Sequence, residues 1–437
     1  MVVPALGVNN YRGAFRIRII LDLERLLSFE EEEMPSLSNY IHRVGHHPVS
    51  SSILAALAHA GATAPHTGEP FSEALLCGIA GGVMVGYFYF DYEGEEPQIN
   101  IVTRNSFHDY GFEKITTRLR LGRELYQTTS QEKARRNLVE LLEADEAPVV
   151  NADVYSLGYE ESEFNGEMWA MQPILVSSYE TGGVARVADR ARVPLLLPSE
   201  QLDAARGRIK KERYRITTLE YTPLEEAELV DAVKAGIGDS LELYTEKPPA
   251  GSANNFGFKA LERWSAALRK PTGKTSWHKL FPGGSRLFGA LSTAYQYASL
   301  FWKDESETAD RELYARFLDE ASEIASLPGL KSAADAYRQA AAAWKGLAHI
   351  LLPDGEPLLG EERRLLHERH RLFLERGTEA QPRRDEIARE RRELRERSSD
   401  LLQDEARRAA FFSEVADAVD RVHDRGYAAY EALKSAL

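Results

Sequence analysis

Cysteine is nearly absent from this chain, which carries Cys77 alone among its 437 residues. One cysteine cannot form an intrachain disulfide, so the fold must be held together by packed apolar cores. The same scarcity is typical of proteins that stay in a reducing compartment, and we therefore predict a cytoplasmic location.

Positive charge and long apolar runs are also scarce. The chain has 54 Lys and Arg residues against 68 Asp and Glu residues, a net charge of −14. Such an acidic balance disfavours binding to a phosphate backbone as the main role. No apolar run approaches the ~18 residues that a membrane span needs. We therefore expect neither a nucleic-acid partner nor a membrane partner.

The composition that remains is that of a globular protein, with 43% hydrophobic and 28% charged residues. At roughly 150 residues per domain, this length predicts two or three domains. Short strand and helix patterns alternate up to about residue 221, and helical patterns dominate after it. We predict an N-terminal extension over residues 1–35, an α+β domain over residues 36–221, and a helical domain with long charged C-terminal helices over residues 222–437. The extension is either an added strand or helix, or a start codon assigned too far upstream.

The stretch between residues 45 and 90 has the most distinctive pattern. Pro48 suits the first turn of a helix, and the serines that follow can cap it. Apolar residues at helical spacing continue this helix to Gly61, whose type is common at a helix end. Ser72 and Glu73 predict the start of a second helix. That helix leads through glycines into an alternating strand over residues 83–89.

The glycines at 78, 81 and 82 follow a helix and precede a strand. A nucleotide-binding glycine loop has the reverse order, since it follows a strand and opens a helix. We therefore expect these glycines to allow close packing of the backbone. Cys77 lies in the same apolar run and is predicted to be a small core residue.

This stretch resembles the N-terminal domain of the butirosin-biosynthesis acyltransferase family. The resemblance is carried by the pair His47-Pro48, the serine-rich helix start, the Ser72-Glu73-Ala74 segment and the Gly-Gly turn into an aromatic strand. It implies a cysteine-peptidase-like fold, similar to papain, with a central antiparallel sheet. It also implies transfer of an acyl group from a carrier-protein thioester, through an active-site cysteine, to an amine. The segments GFKALERW, ELYARFLDEASEI and AAAAWKGLA resemble the helical domain of unknown function that often follows.

The chain departs from the family pattern at two catalytic positions. Pro48 stands where the family has its nucleophilic cysteine. Gln172 stands where the family has its catalytic histidine, seven residues before the turn that follows Tyr179. Asp189 matches the family's acid, although a solvated carboxylate at a strand end is an equally good interpretation. The resemblance places the substrate-binding positions at His47, Ser50, Ser51, Glu73, Asp153 and Tyr155.

These departures remove the chemistry of a cysteine enzyme. Proline has no nucleophilic atom, and glutamine cannot accept a proton near neutral pH. We therefore predict a non-catalytic binding or partner subunit. The alternative is an active amide-forming acyltransferase, with Ser50 or Ser51 as nucleophile and His46 or His47 as base, or with catalysis by proximity alone. Helix capping is the competing role of both serines.

No cofactor is expected, apart from a phosphopantetheine thioester carried by a partner. His42, His46 and His47 suggest a metal site, but Gly45 interrupts their helix and no further ligand lies nearby. We therefore predict no metal.

Two features point to possible partners. A basic cluster could dock an acidic acyl-carrier protein, or could be a solvated helix face; its members are Arg206, Arg208, Lys210 and Lys211. Ile387, Leu394 and Leu401 are spaced by seven. This short heptad trace favours packing within the chain, with homo-oligomerisation as the alternative. A catalytic paralogue is a further candidate partner.

Overall fold

The computed structural model of this protein describes residues 34–94, 96–104, 109–159, 169–244 and 253–437. The predicted N-terminal extension falls outside these ranges, apart from Met34 and Pro35. Within them, no helix combines the length and the apolar character that crossing a bilayer requires.

The strands form two separate sheets. A two-stranded antiparallel ribbon consists of β1 (Val83–Phe90) and β2 (Gln98–Arg104). The second sheet has six strands in the order β3-β8-β4-β5-β6-β7, and every neighbouring pair is antiparallel. Its strands are β3 (Gly122–Tyr126), β4 (Val149–Asp153), β5 (Met171–Tyr179), β6 (Val184–Ala188), β7 (Leu195–Pro198) and β8 (Ile216–Glu220).

In the described ranges up to residue 221, five α-helices accompany these strands. They are α1 (Pro48–His59), α2 (Glu73–Ile79), α3 (Asp109–Arg118), α4 (Gln131–Glu143) and α5 (Ser199–Gly207). The helices predicted at Pro48 and Ser72 and the hairpin before Asp189 are present, because capping residues and turn glycines mark their ends locally. The sequence analysis did not identify α3, β3 or β8, which lack a clear apolar periodicity.

The regular elements described after residue 221 are helical. They are α6 (Glu226–Leu243), α7 (Gly257–Arg269), α8 (Trp277–Leu280), α9 (Gly284–Ser299), α10 (Arg311–Ile324), α11 (Gly329–Leu351), α12 (Pro357–Arg376), α13 (Gln381–Arg397) and α14 (Glu405–Ser435). The chain therefore has the predicted α+β class, with an antiparallel sheet followed by a helical region. The heptad residues Ile387, Leu394 and Leu401 are buried in the chain's own core and do not form an exposed dimer seam.

The buried cores extend across the predicted boundary at residue 221. One core joins α1, α2 and α3 to α6, α10, α11 and α14. Another packs the β1–β2 ribbon against α7 and α9. The sheet has its own core, which also contains Phe373 of α12. The helical region thus contributes directly to the surroundings of α1 and α2.

Glycines set the distance between α2 and the helices packed against it. A Cβ atom at Gly78 would lie 2.2 Å from the ring of Phe317, and one at Gly82 would lie 2.2 Å from Tyr314. Gly82 also has a φ of 64°, which non-glycine residues rarely adopt. On α6, a Cβ atom at Gly236 would lie 2.1 Å from the carbonyl oxygen of Gly78. The glycine-rich turn is therefore a close-packing device, as predicted.

Two glycines of α6 test this interpretation. Gly236→Ala should destabilise the protein by about 2–3 kcal/mol, because the new methyl group overlaps backbone atoms that cannot move aside cheaply. Gly238→Ala, two residues further along the same helix, meets open space and should stabilise by up to ~1 kcal/mol. Urea unfolding of both variants measures the difference. Equal effects of the same sign would contradict the close-packing role.

Candidate functional site

Pro48 is the first residue of α1 and lies in its buried first turn. Backbone N–H groups in the first turn of a helix have no acceptor within the helix. Proline fits there because the N–H that it lacks would have no such partner. His47 caps the helix, since its Nδ1 accepts a hydrogen bond from the Val49 N–H at 3.3 Å. Pro48, Ser50 and Ser51 are all buried, so the predicted start of a buried helix is present.

Glu73, at the start of α2, holds the start of α1. Its Oε1 accepts hydrogen bonds from the Ser50 hydroxyl at 2.7 Å and from the His46 N–H at 2.9 Å. Its Oε2 lies 2.9 Å from Nδ1 of His46. A Cβ atom at Gly45 would lie 2.6 Å from Cδ of this carboxylate, so a side chain there would displace Glu73 from its hydrogen bonds.

A buried arginine links this cluster to the helical region. Arg104, the last residue of β2, lies 3.4 Å from Glu73 through Nη1 and donates to Asp310 at 2.9 Å through Nη2. Arg104 is 6% exposed and Asp310 is 7% exposed, so the charges are shielded from water. Asp310 also accepts a hydrogen bond from Thr103 at 3.2 Å.

The network shifts the ionisation of its members. Burial alone would raise the pKa of Glu73, but the hydrogen bond from His46 and the charge of Arg104 lower it well below its usual value. Burial opposes the charged form of His46, yet the hydrogen bond and charge of Glu73 raise its pKa above the ordinary value. Both shifts favour the charged forms, so the contact is ionic over a wider pH range than the ordinary pKa values would allow.

His47 has a different environment. Burial, followed by the charge of Arg104, lowers the pKa of His47 well below its ordinary value. Its ring is neutral at pH 7 and packs edge-on against Trp302, with ring centroids 5.3 Å apart. Because Nδ1 accepts from the backbone, the ring proton is assigned to Nε2. Nδ1 then uses its lone pair for the backbone N–H, and Nε2 carries the ring proton. Neither nitrogen has a free lone pair that could accept another proton.

The two serines are also held by hydrogen bonds. Ser50 donates to Glu73, and Ser51 donates to the carbonyl oxygen of Asp189 just after β6. The Asp189 side chain is buried and pairs with Arg190 through two contacts of 3.1 Å. The alternative of a solvated carboxylate at Asp189 is therefore wrong, because its partner is a buried guanidinium.

Gln172 is buried near the start of β5, opposite Ala152 of β4. Strands β5 and β6 are neighbours, and α1 packs on both. Among the described residues, no hydrogen bond joins Gln172 to His46, Ser50, Glu73 or Arg104.

Asp153 is buried as well, and it accepts hydrogen bonds from Ser156 at 2.6 Å and from the Ala170 N–H at 2.9 Å. It holds a turn after β4 next to the half-buried Tyr155.

The predicted basic cluster is not one helix face, because α5 ends at Gly207. Arg206 is fully buried and lies 3.5 Å from Asp203, so it is unavailable to a partner. Arg208 lies 3.9 Å from Asp153. Lys210 and Lys211 are exposed in a short 3-10 turn.

The three clustered histidines have separate partners. His42 lies 2.9 Å from the carbonyl oxygen of Ala191, away from the Glu73 carboxylate that His46 contacts. In the part of the chain that the structure describes, no group of three His, Cys, Asp or Glu residues is arranged to hold a metal.

Cys77 is buried, and burial raises the pKa of its thiol to about 12.

The loop over residues 300–310 connects α9 to α10, and the sequence analysis did not identify it. This loop brings Trp302, Lys303 and Asp310 to the start of α1. Burial lowers the pKa of Lys303 to about 8, and its ammonium group donates to the carbonyl oxygens of Tyr297 in α9 and Phe301 in the loop. Four of its non-glycine residues have positive φ angles: Trp302, Glu307, Ala309 and Asp310. No local sequence pattern predicts these positive φ angles, because tertiary contacts impose them.

Residues 47–190 match the model of a protein family described as butirosin biosynthesis protein H, N-terminal. The matched range begins at His47, which caps α1, and ends at Arg190, which pairs with Asp189. It confirms the family resemblance predicted for this region, and the helices after residue 221 fit the expected helical region. No curated protein matches the chain. The family suggests an acyltransferase-like biosynthetic protein.

The His46–Glu73 pair should make stability depend on pH. The raised pKa of His46 means that its contribution is complete below about pH 6.5 and is lost as the pH rises through the folded-state value. His46→Gln should therefore destabilise by about 1.5–3 kcal/mol at pH 6 and by less at pH 8.5. Urea unfolding over this range measures the effect.

Glu73→Gln is the control for this prediction. In that background the pH dependence caused by His46→Gln should disappear, since the partner charge is gone. An unchanged pH dependence would show that another group accounts for it.

Proposed function

We propose, from the family match of residues 47–190, that this protein is an acyltransferase-like subunit of natural-product biosynthesis that binds its partner or ligand without forming an acyl-enzyme. The partner would be an acyl-carrier protein or a catalytic paralogue. The observation that carries this proposal is the position of Pro48. It occupies the buried first turn of α1. The resemblance puts the family's nucleophile at this position, and proline has no atom that can attack a thioester.

The arrangement around Ser50 and Ser51 supports the same proposal. A serine nucleophile needs a base that can take its proton. The lowered pKa of Glu73 makes it a weak base, and the raised pKa of His46 favours its protonated form. The ring of His47 already accepts a backbone N–H. Capping and packing therefore account for both hydroxyls, and the alternative of an active serine enzyme has less support.

A thioester probe tests the absence of a nucleophile. The acetyl thioester of N-acetylcysteamine, incubated with the native protein, should leave no acetyl adduct in the intact mass. Pro48 cannot attack, and Cys77 is buried with a raised pKa. An adduct mapped to Ser50 or Ser51 by peptide mass would support the active acyltransferase instead.

Pro48→Cys is the positive control for the same experiment. Its thiol would lie at a helix N-terminus near the charges of Arg104, Arg190 and Lys303, and both features favour the thiolate. The thiolate would attack the thioester carbonyl, and N-acetylcysteamine would leave as the thiol. The protein would then carry one additional acetyl group. Adding Gln172→His should raise the rate at least tenfold if Gln172 marks the base position. Equal rates would remove Gln172 from the site.

The exposed lysines after α5 test the proposed acidic partner. Replacing Lys210 and Lys211 by glutamate should weaken binding of a phosphopantetheinylated acyl-carrier protein about tenfold at low salt and flatten the salt dependence. Lys345→Glu, an exposed charge reversal on α11, is the matched control and should have little effect. Calorimetric titration at two salt concentrations separates these outcomes. Equal losses in both variants would reject this docking surface.

A further inference from the structure

A polar cavity of about 180 Å³ lies in the helical region, outside the family-matched residues. One wall is a single face of α9, because the lining residues Phe288, Ser292 and Gln296 recur every four positions. The opposite wall is formed by arginines of α13, and α12 contributes Glu362. The volume exceeds the ~150 Å³ of a protein cavity that admits benzene, so a small organic molecule fits.

One guanidinium of this cavity is fixed in position. Arg391 donates to Oε1 of Glu362 through Nε at 3.0 Å and through Nη2 at 2.8 Å. Ser292 donates to the same oxygen at 2.5 Å. Glu362 is fully buried and Arg391 is 9% exposed. Such a buried, hydrogen-bonded pair orients the arginine before any ligand arrives.

Two more arginines line the cavity. Arg392 and Arg395 line it together with Arg391, and Glu362 is the acid among the lining residues. Arg395 also pairs with Glu96 at the protein surface. Gly289 lets this guanidinium lie against α9, since a Cβ atom there would be 3.3 Å from its Cζ. Among the lining residues three guanidinium groups face one carboxylate, which is a specific local feature in a chain of net charge −14.

Aromatic side chains complete the lining. Phe288, Tyr297 and Phe301 lie along it, and the rings of Tyr297 and Phe301 meet edge-to-face at 5.3 Å. Burial raises the pKa of Tyr297 to about 12, so its phenol stays neutral. Guanidinium groups bind carboxylate or phosphate oxygens through paired N–H groups, and aromatic side chains favour a flat apolar group.

We propose that this cavity binds a small organic anion, a carboxylate or phosphate ester that carries a flat apolar group. The anionic oxygens contact the arginines of α13, and the apolar group packs on the aromatic side chains. The inference is independent of the proposed function, since it uses no residue of the start of α1.

Thermal shift and calorimetric titration of the full chain test the site with four probes. Benzoate and phenyl phosphate should bind saturably, and the stronger of them identifies the preferred anion. Benzyl alcohol lacks the charge and inorganic phosphate lacks the ring, so both should bind at least tenfold more weakly. Saturable binding of neither benzoate nor phenyl phosphate, or equal binding of benzyl alcohol, would overturn the proposal.

Charge-removing variants locate the binding. Arg392→Gln and Arg395→Gln should each weaken binding of the preferred anion about tenfold, because each removes a charge-assisted contact. Arg389→Gln removes an equal charge from an exposed position of the same helix outside the cavity, and it should leave the affinity unchanged. Gly289→Ala keeps all charges and should weaken binding by displacing Arg395. Equal affinity in wild type, Arg392→Gln and Arg395→Gln would place the anion elsewhere.

Discussion

The start of α1 depends on a chain of charges that runs from the half-buried His46 through Glu73 to the buried Arg104 and Asp310. Each member compensates its neighbour, so no single charge is left alone in the interior. Removal of one partner from a buried pair costs about 3–5 kcal/mol, because the remaining charge stays desolvated. The network therefore fixes α1, the end of β2 and the loop before α10 in one arrangement. The family-matched region and the helical region share this constraint.

Close packing reinforces the same junction. The turn after α2 approaches α6 and α10 so closely that side chains at Gly78, Gly82 and Gly236 would overlap other atoms. Trp302 of the loop over residues 300–310 can then contact His47, which caps α1. Asp310 of the same loop can pair with Arg104. A candidate site assembled in this way includes residues more than 250 positions apart in the sequence. Both halves of the chain are needed to build it.

Local signals explain which parts of the structure could be predicted. Pro48 and Ser72 mark helix starts because caps and first turns have specific residue requirements. The antiparallel hairpin before Asp189 follows from alternation and a glycine turn. The partners of Glu73 could not be predicted, because Arg104 and Asp310 meet it only through tertiary contacts. The burial of Arg206 was missed for the same reason, since a basic run in sequence does not show which members point inward.

Proline at position 48 is compatible with an intact helix start for a physical reason. The first turn of a helix has no internal acceptor for its N–H groups, so proline loses no hydrogen bond there and its fixed φ angle suits the turn. The capping of α1 is carried out instead by His47, and its position is held by Glu73 and Ser50. None of these contacts uses the side chain at position 48. Thiol chemistry can therefore be absent at this position without destabilising the helix start, and the surrounding charges and hydrogen bonds have a structural role that does not require catalysis.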